Sequence, residues 1–340
     1  MYLDAVKAEE NKDLEKALAL YEKLGTFAEA HQEAERIRKA IPEAAVKEGR
    51  ALMAKGEYEA ARELFLSLDG YGASKTLADN CTAALNKAAY NAAEELFKAG
   101  DLLGAMDAFN ALGDSLEGAK RAQDILHVIH QELDARYAAV TLTTASALIQ
   151  DYRMLGEDDI ASQRIAELTA RFGKNLELIA MDAPVIQLGS YPYTENGEEH
   201  AVLWRVLKTD GSIVTLLSEA VLDASADAQP IQLTLNDKER SAVLEMTLPS
   251  MADLAARSDL TCLATPYAQV QGAVNENGAT AYWLRDSLEN GQHPVIGASG
   301  SLTLPEAGVI PGICPIMTLD LEKITFTAGS GVKADPFRAE

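Results

Sequence analysis

An alanine, an aromatic and a leucine recur together at a fixed interval, and this recurrence constrains the fold more than any other feature of the chain. Ala17, Ala61 and Ala105 stand 44 residues apart, as do Tyr21, Phe65 and Phe109, and then Leu24, Leu68 and Leu112. Within each copy the aromatic follows the alanine by four residues and the leucine by seven, so all three lie on one helical face. The alanine falls where a neighbouring helix must come close. Each copy ends on glycine or aspartate, at Leu24-Gly25, Leu68-Asp69-Gly70 and Leu112-Gly113-Asp114. A weaker fourth copy follows after about 43 residues, with Tyr152 and Leu155-Gly156 answering Phe109 and Leu112-Gly113. A single helical pair cannot bury its own apolar stripe, so units of fixed period are expected to stack into an α-helical repeat solenoid.

Gly56 and Gly100 are each followed two residues later by Tyr58 or Leu102, and then by Ala61 or Ala105. These positions resemble the inter-helix turn of the tetratricopeptide-like class over roughly residues 1–175, although the period exceeds the about 34 residues usual there. The resemblance implies a surface for a protein or peptide partner.

Proline marks where this grammar stops. Residues 1–180 contain only Pro42, while residues 181–340 hold the other ten of eleven prolines and both tryptophans, Trp204 and Trp283. The first part is rich in Ala, Leu, Glu and Lys, which lose little side-chain freedom in a helix. A boundary near Met181–Pro184 is expected, giving helical repeats over 1–180 and a compact α+β domain over 181–340. In the second part Val202–Leu207 and Ile213–Leu217 flank Asp210-Gly211, a strong hairpin signal. Val185–Gly189, Tyr282–Leu284, Ser301–Leu304 and Ile313–Leu319 are further strand candidates. Asn236 is placed to cap a helix over Asp237–Glu245, and Ser250 one over Met251–Arg257.

Several landmarks of the second part resemble, in order, a bacterial domain of unknown function common in gut Firmicutes. They are Leu188-Gly189-Ser190-Tyr191-Pro192, Trp204-Arg205-Val206-Leu207, Leu216-Leu217-Ser218, Thr265–Ala273, Tyr282-Trp283-Leu284-Arg285 and Gly312–Met317. The match spans about residues 183–326. It implies a fold similar to C-type-lectin-like and formylglycine-generating-enzyme-like domains, and it brings no family-wide activity. The chain departs from the pattern between Asp223 and Leu233, at Cys314 (an arginine in the family) and at Asp286 (a serine). If those positions line a family ligand site, this copy is altered.

Charge and composition narrow the function classes. A net charge of −22 and a pI near 4.6 argue against nucleic acid or an anionic membrane as partner, since both need clustered cations. No apolar run approaches the ~20 residues of a membrane span, and Met1-Tyr2-Leu3-Asp4 does not begin a signal segment. Three widely spaced cysteines fit a reducing cytoplasm, the expected location.

No cofactor and no metal are expected. His127 and His130 lie one turn apart, but nothing completes a tetrahedral set, and structural histidines are the simpler reading. Cys262 and Cys314 can approach one another in a fold, yet they lack C-x-x-C spacing, and buried free thiols are expected. The closely spaced cysteine pair that formylglycine-generating enzymes need for copper is absent. Gly297–Ser301 reads as a turn, Glu157-Asp158-Asp159 as a helix cap, and Glu198-Glu199-His200 as an exposed turn tip.

The candidate binding residues are Trp283, Arg285 and Trp204. In a strand Trp283 and Arg285 point to one side, and a tryptophan beside an arginine suits a planar ligand, a sugar or a protein anchor. Against this stands a tryptophan core with Arg285 paired to a carboxylate. The reading is a non-catalytic binding or scaffold protein, with a protein or peptide partner and room for a carbohydrate or small ligand in the C-terminal domain. The alternatives are an enzyme or degenerate enzyme of formylglycine-generating-like fold, and a purely architectural oligomer subunit.

Overall fold

A computed structural model describes residues 1–339 except 28, 256, 258, 276–278 and 290. The chain divides into two compact units, Met1–Glu132 and Leu133–Glu340.

In the first unit short and long helices alternate: α1 Tyr2–Glu10, α2 Leu14–Leu24, α3 Ala30–Lys55, α4 Tyr58–Ser67, α5 Ser74–Lys98 and α6 Leu102–Leu112. Helix α7, Gly118–Ala138, contains the division between the units. From α1 to α6 each helix packs against the next in sequence. The 44-residue interval is therefore one short helix, one long helix and their turns. Tyr21, Phe65 and Phe109 occupy the same position in α2, α4 and α6, and all three are buried, as are Ala17, Ala61 and Ala105. Close approach at the alanine is what lets the ring of the same helix reach its neighbour. At Gly49 in α3 the demand is greater still, because a Cβ there would lie 2.5 Å from the Phe65 ring. That contact explains a glycine in a helix interior, where it otherwise costs about 1 kcal/mol against alanine. Asp13 and Asp101 cap α2 and α6 by accepting from the backbone N–H groups of Lys16 and Gly104.

The second unit begins with two helices, α8 Leu142–Arg153 and α9 Asp159–Ala180, which pack on one another. Asp158 caps α9, the role expected for the acidic triplet. A seven-stranded sheet follows from β1 Val185–Pro192, β2 Glu199–Asp210 and β3 Ile213–Ser218; β5 Val243–Thr247, β10 Ile316–Asp320, β11 Phe326–Ala328 and β12 Phe337–Ala339 complete it. Their order is β11-β12-β1-β2-β3-β10-β5, with β12 parallel to β1 and the other pairs antiparallel. A smaller sheet orders β4 Asp223–Ala224, β9 Gly312–Ile313, β6 Tyr282–Trp283, β7 Val295–Ile296 and β8 Leu302–Thr303. Short helices α10 Asp237–Ala242, α11 Met251–Leu254 and α12 Pro266–Val270 connect them. The architecture is a helical N-terminal part with a C-terminal sheet region. None of the described helices is long and apolar enough to cross a membrane.

Asp210-Gly211 forms the β2–β3 hairpin, with Gly211 at φ +62°. Asn236 and Ser250 cap their helices through reciprocal bonds with Glu239 and Asp253. Both helices are shorter than the sequence suggests. Helix α10 stops at Ala242 because Val243 turns extended and Val243–Thr247 pairs with β10. Tertiary pairing here overrides a helical run.

The shift of residue grammar near Met181 and the division into compact units fall at different places. Asn175, near the end of α9, explains why. It is buried, its Nδ2 donates to the carbonyls of Leu321 and Ile324, and its Oδ1 accepts from Phe326 N–H. One amide thereby satisfies three backbone groups beside the sheet, and α9 becomes part of the same core.

Candidate functional site

A concavity of the second unit starts at the end of β1. Its pairing with β2 shifts register between Gln187 and Ser190, around Gly189 at φ +68°. This bulge re-aims Tyr191-Pro192-Tyr193 along a cleft. One arm of that cleft, about 470 Å³, is lined by Tyr191, Pro192, Tyr193, His200, Leu222 and neighbours. A second arm, about 440 Å³, holds Arg205, Arg257, Asp259, Thr261 and Cys262. The arms share Tyr193, Glu219, Ala220, Thr265 and Lys333.

The first arm is aromatic. Tyr193 stacks on His200 with centroids 4.8 Å apart and rings 6° from parallel. Tyr191 meets the edge of Tyr267 at 6.1 Å, and its hydroxyl donates to Asp223 Oδ2 at 2.5 Å. Burial, and then that carboxylate, push the Tyr191 phenol well above its ordinary range, so it serves as a neutral donor.

Glu219 stands at the junction, with a side chain only 8% exposed. It accepts from Arg205 Nε and pairs with Lys333 Nζ at 3.2 Å. Burial alone would raise its pKa, but Arg205 and then Lys333 outweigh that and hold the carboxyl below the usual range. The junction therefore carries a fixed negative charge flanked by two cations. Elsewhere in the second arm, Arg257 Nε donates to the Asp259 carbonyl, and the Asp259 carboxylate accepts from the N–H and hydroxyl of Thr261. Arg205, Arg257 and Lys333 against Glu219 and Asp259 make this arm more cationic than the chain as a whole, which favours a ligand with an acidic group.

The residues chosen from the sequence fall elsewhere. Trp204 is fully buried, and its indole N–H donates to the Leu188 carbonyl at 2.8 Å. Trp283 is buried with Leu248, Val295 and Ile313 and donates to the Ser225 carbonyl at 2.9 Å. Arg285 lies beyond the end of β6, is 41% exposed, and pairs with Asp253 at 2.8 Å. The two tryptophans thus serve separate cores, and none of the three residues lines either arm of the cleft. Their neighbours in the same motifs do: Tyr191 and Pro192 follow Gly189, and Arg205 follows Trp204. His200, at the exposed turn tip, also belongs to the rim. Glu219, Arg257 and Lys333 carry no local signal.

Other expectations can be placed. His127 Nε2 bonds Gln131 at 2.8 Å, and Gly297–Ser301 is a turn closed by Gly300 N–H on the Gly297 carbonyl. Among the described residues no group of three or more His, Cys, Asp or Glu is placed to hold a metal ion. Compared with family models, curated proteins and solved structures, the chain matches none, so the functional reading rests on the geometry of the cleft.

Proposed function

We propose that the protein is a non-catalytic binding protein whose C-terminal unit holds a small acidic ligand or an acidic peptide side chain in the two-armed cleft. The observation that carries the reading is the junction: buried Glu219 fixes Arg205 and Lys333 between an aromatic wall and a polar arm. Aromatic faces supply contact area at low entropic cost, and preorganised cations orient an anionic group. The helical part adds a surface for a protein or peptide partner. Equivalent burial of Tyr21, Phe65 and Phe109 in successive short helices supports a tetratricopeptide-like solenoid there. For the C-terminal part, the bacterial-domain motifs support a C-type-lectin-like fold, by resemblance alone.

Ligand-observed NMR with acidic peptides, neutral aromatic peptides and simple sugars tests the cleft. Acidic probes are expected to bind. Tyr193→Ala and Lys333→Glu should each weaken them at least about tenfold, equivalent to ~1.4 kcal/mol. An acidic probe held equally well by both variants, or binding of sugars alone, overturns this assignment.

A further inference from the structure

Behind the polar arm lie two thiols that the binding reading does not use. Cys262 is 8% exposed and lines the arm, whereas Cys314 is fully buried behind it. Their Sγ atoms are 3.5 Å apart, and both cysteines are free. The backbone on either side is held in place: the Cys262 carbonyl accepts from Thr280 N–H at 2.7 Å, and the Pro315 carbonyl accepts from Ser218 N–H at 3.1 Å.

We propose that Cys262 and Cys314 form a peroxide-reactive dithiol in which Cys262 is the attacking thiol and Cys314 the resolving one. The assignment of roles follows from access and from the proton. A hydroperoxide reaching the arm meets Cys262 and not Cys314. The Cys314 thiol keeps its single proton, which it can give either to the Ser218 carbonyl at 3.6 Å or to Cys262 Sγ at 3.5 Å, with the Ser218 hydroxyl 3.7 Å away. The hydrogen bond to Cys262 lowers the Cys262 pKa; burial opposes it, the positive charge of Arg257 adds to it, and the carboxylates of Glu219 and Asp259 work against it to a lesser degree. The same contact, with complete burial, pushes Cys314 up. A thiolate in front of a protonated thiol is the order such chemistry needs.

Cys262 thiolate attacks one oxygen of hydrogen peroxide; an S–O bond forms, the O–O bond breaks, and hydroxide leaves. Cys262 is then a sulfenic acid, oxidised by two electrons, and the peroxide is reduced. Cys314 Sγ attacks Cys262 Sγ, the S–O bond breaks, and the departing hydroxide takes the Cys314 proton to form water. The product is a Cys262–Cys314 disulfide, reached by closing 3.5 Å to about 2.05 Å. A bulky disulfide substrate suits the site less, because so little of Cys262 is exposed.

Treating the full chain with stoichiometric hydrogen peroxide tests this, with intact-mass and non-reducing peptide mapping as readouts. The expected product has lost two hydrogens and carries a Cys262–Cys314 linked peptide, while Cys81 stays reduced. In Cys314→Ser the reaction should stop at a Cys262 sulfenic acid that dimedone traps, and Cys262→Ser should give neither product. Before oxidation, iodoacetamide should alkylate Cys262 at least about tenfold faster than buried Cys81. Equal alkylation of Cys81 and Cys262, or peroxide treatment that leaves both C-terminal thiols reduced or carries Cys262 past the sulfenic acid with Cys314 free, overturns the proposal. Binding of acidic probes is measured separately, so failure of the dithiol leaves the cleft standing, and the reverse.

Discussion

The two units build their interiors by different means. In Met1–Glu132 the core is a row of small and aromatic residues at regular sequence intervals, each contacting the adjacent helix. In Leu133–Glu340 one cluster draws Leu217, Cys262, Tyr282, Ile296 and Cys314 from segments scattered along about a hundred residues and from both sheets. Local burial writes a period into the sequence, and long-range burial does not. The cleft proposed as the binding site lies in the unit whose contacts are long-range, where few local rules point to it.

The largest test of this contrast is to empty one aromatic site in each unit. Phe65→Ala and Trp204→Ala should each cost ~3–5 kcal/mol, the usual range for a buried ring. If the cores are separate, Phe65→Ala should lower a transition reported by helix signal and Trp204→Ala one reported by the C-terminal sheet. Hydrogen exchange resolves the two. A single variant that loosens both units equally would break the comparison.

A cut through the chain sharpens it further. The change in composition near Met181 suggests a fragment 181–340, while Asn175 binds α9 to Leu321, Ile324 and Phe326. A fragment 133–340 should therefore resist urea better than 181–340. In the full chain Asn175→Leu should cost roughly 2–4 kcal/mol, since it strands three backbone groups. Equal stability of the two fragments would give the boundary back to the composition.

How much could be read in advance follows from the same contrast. Tyr21, Phe65 and Phe109 declared themselves because each pair of one short and one long helix repeats the same environment 44 residues on. Asp210-Gly211, Asn236 and Ser250 did so because turns and caps are local chemistry. Strand β5 did not, because Val243–Thr247 becomes a strand only beside β10. Strand β12 was equally hidden, since Phe337 and Arg338 pair with Ile186 and Gln187 about 150 residues away. The cleft had half a signal: the motifs containing Tyr191 and Arg205 were visible, but Trp204 in the second of them drew attention to a core position. Lys333 reaches Glu219 from a segment with no motif at all.

Glu219 offers a smaller, pH-dependent test. Its folded pKa lies below the ordinary carboxylate value of about 4.3, so the stability it adds is fully present above that value and is lost as pH falls through the folded pKa. Glu219→Ala should cost about 1–3 kcal/mol near neutral pH and progressively less in acid, because Arg205 loses a buried partner. Urea titrations at neutral and acid pH measure the difference. A cost independent of pH would show that packing, and not charge, is what Glu219 contributes.

Arg285 is expected to show the smallest effect, and it separates the residues chosen by motif from those placed by the fold. Its partner Asp253 does not depend on it: Asp253 Oδ2 also accepts from Ser250 N–H at 2.8 Å and from the Ser250 hydroxyl at 2.6 Å. The pair is partly exposed, and such pairs contribute at most about 1 kcal/mol. Arg285→Ala should therefore leave stability within about 1 kcal/mol, since the carboxylate it abandons stays hydrogen-bonded. Binding of acidic probes should be unchanged, because Arg285 lines neither arm of the cleft. The comparison is with Lys333→Glu, which removes a cation from the junction. If Arg285→Ala weakens the probe as much as Lys333→Glu does, ligand recognition extends to the β6 end and Trp283 regains its place beside it. If only Lys333→Glu does so, recognition belongs to the cleft that the β1 bulge opens.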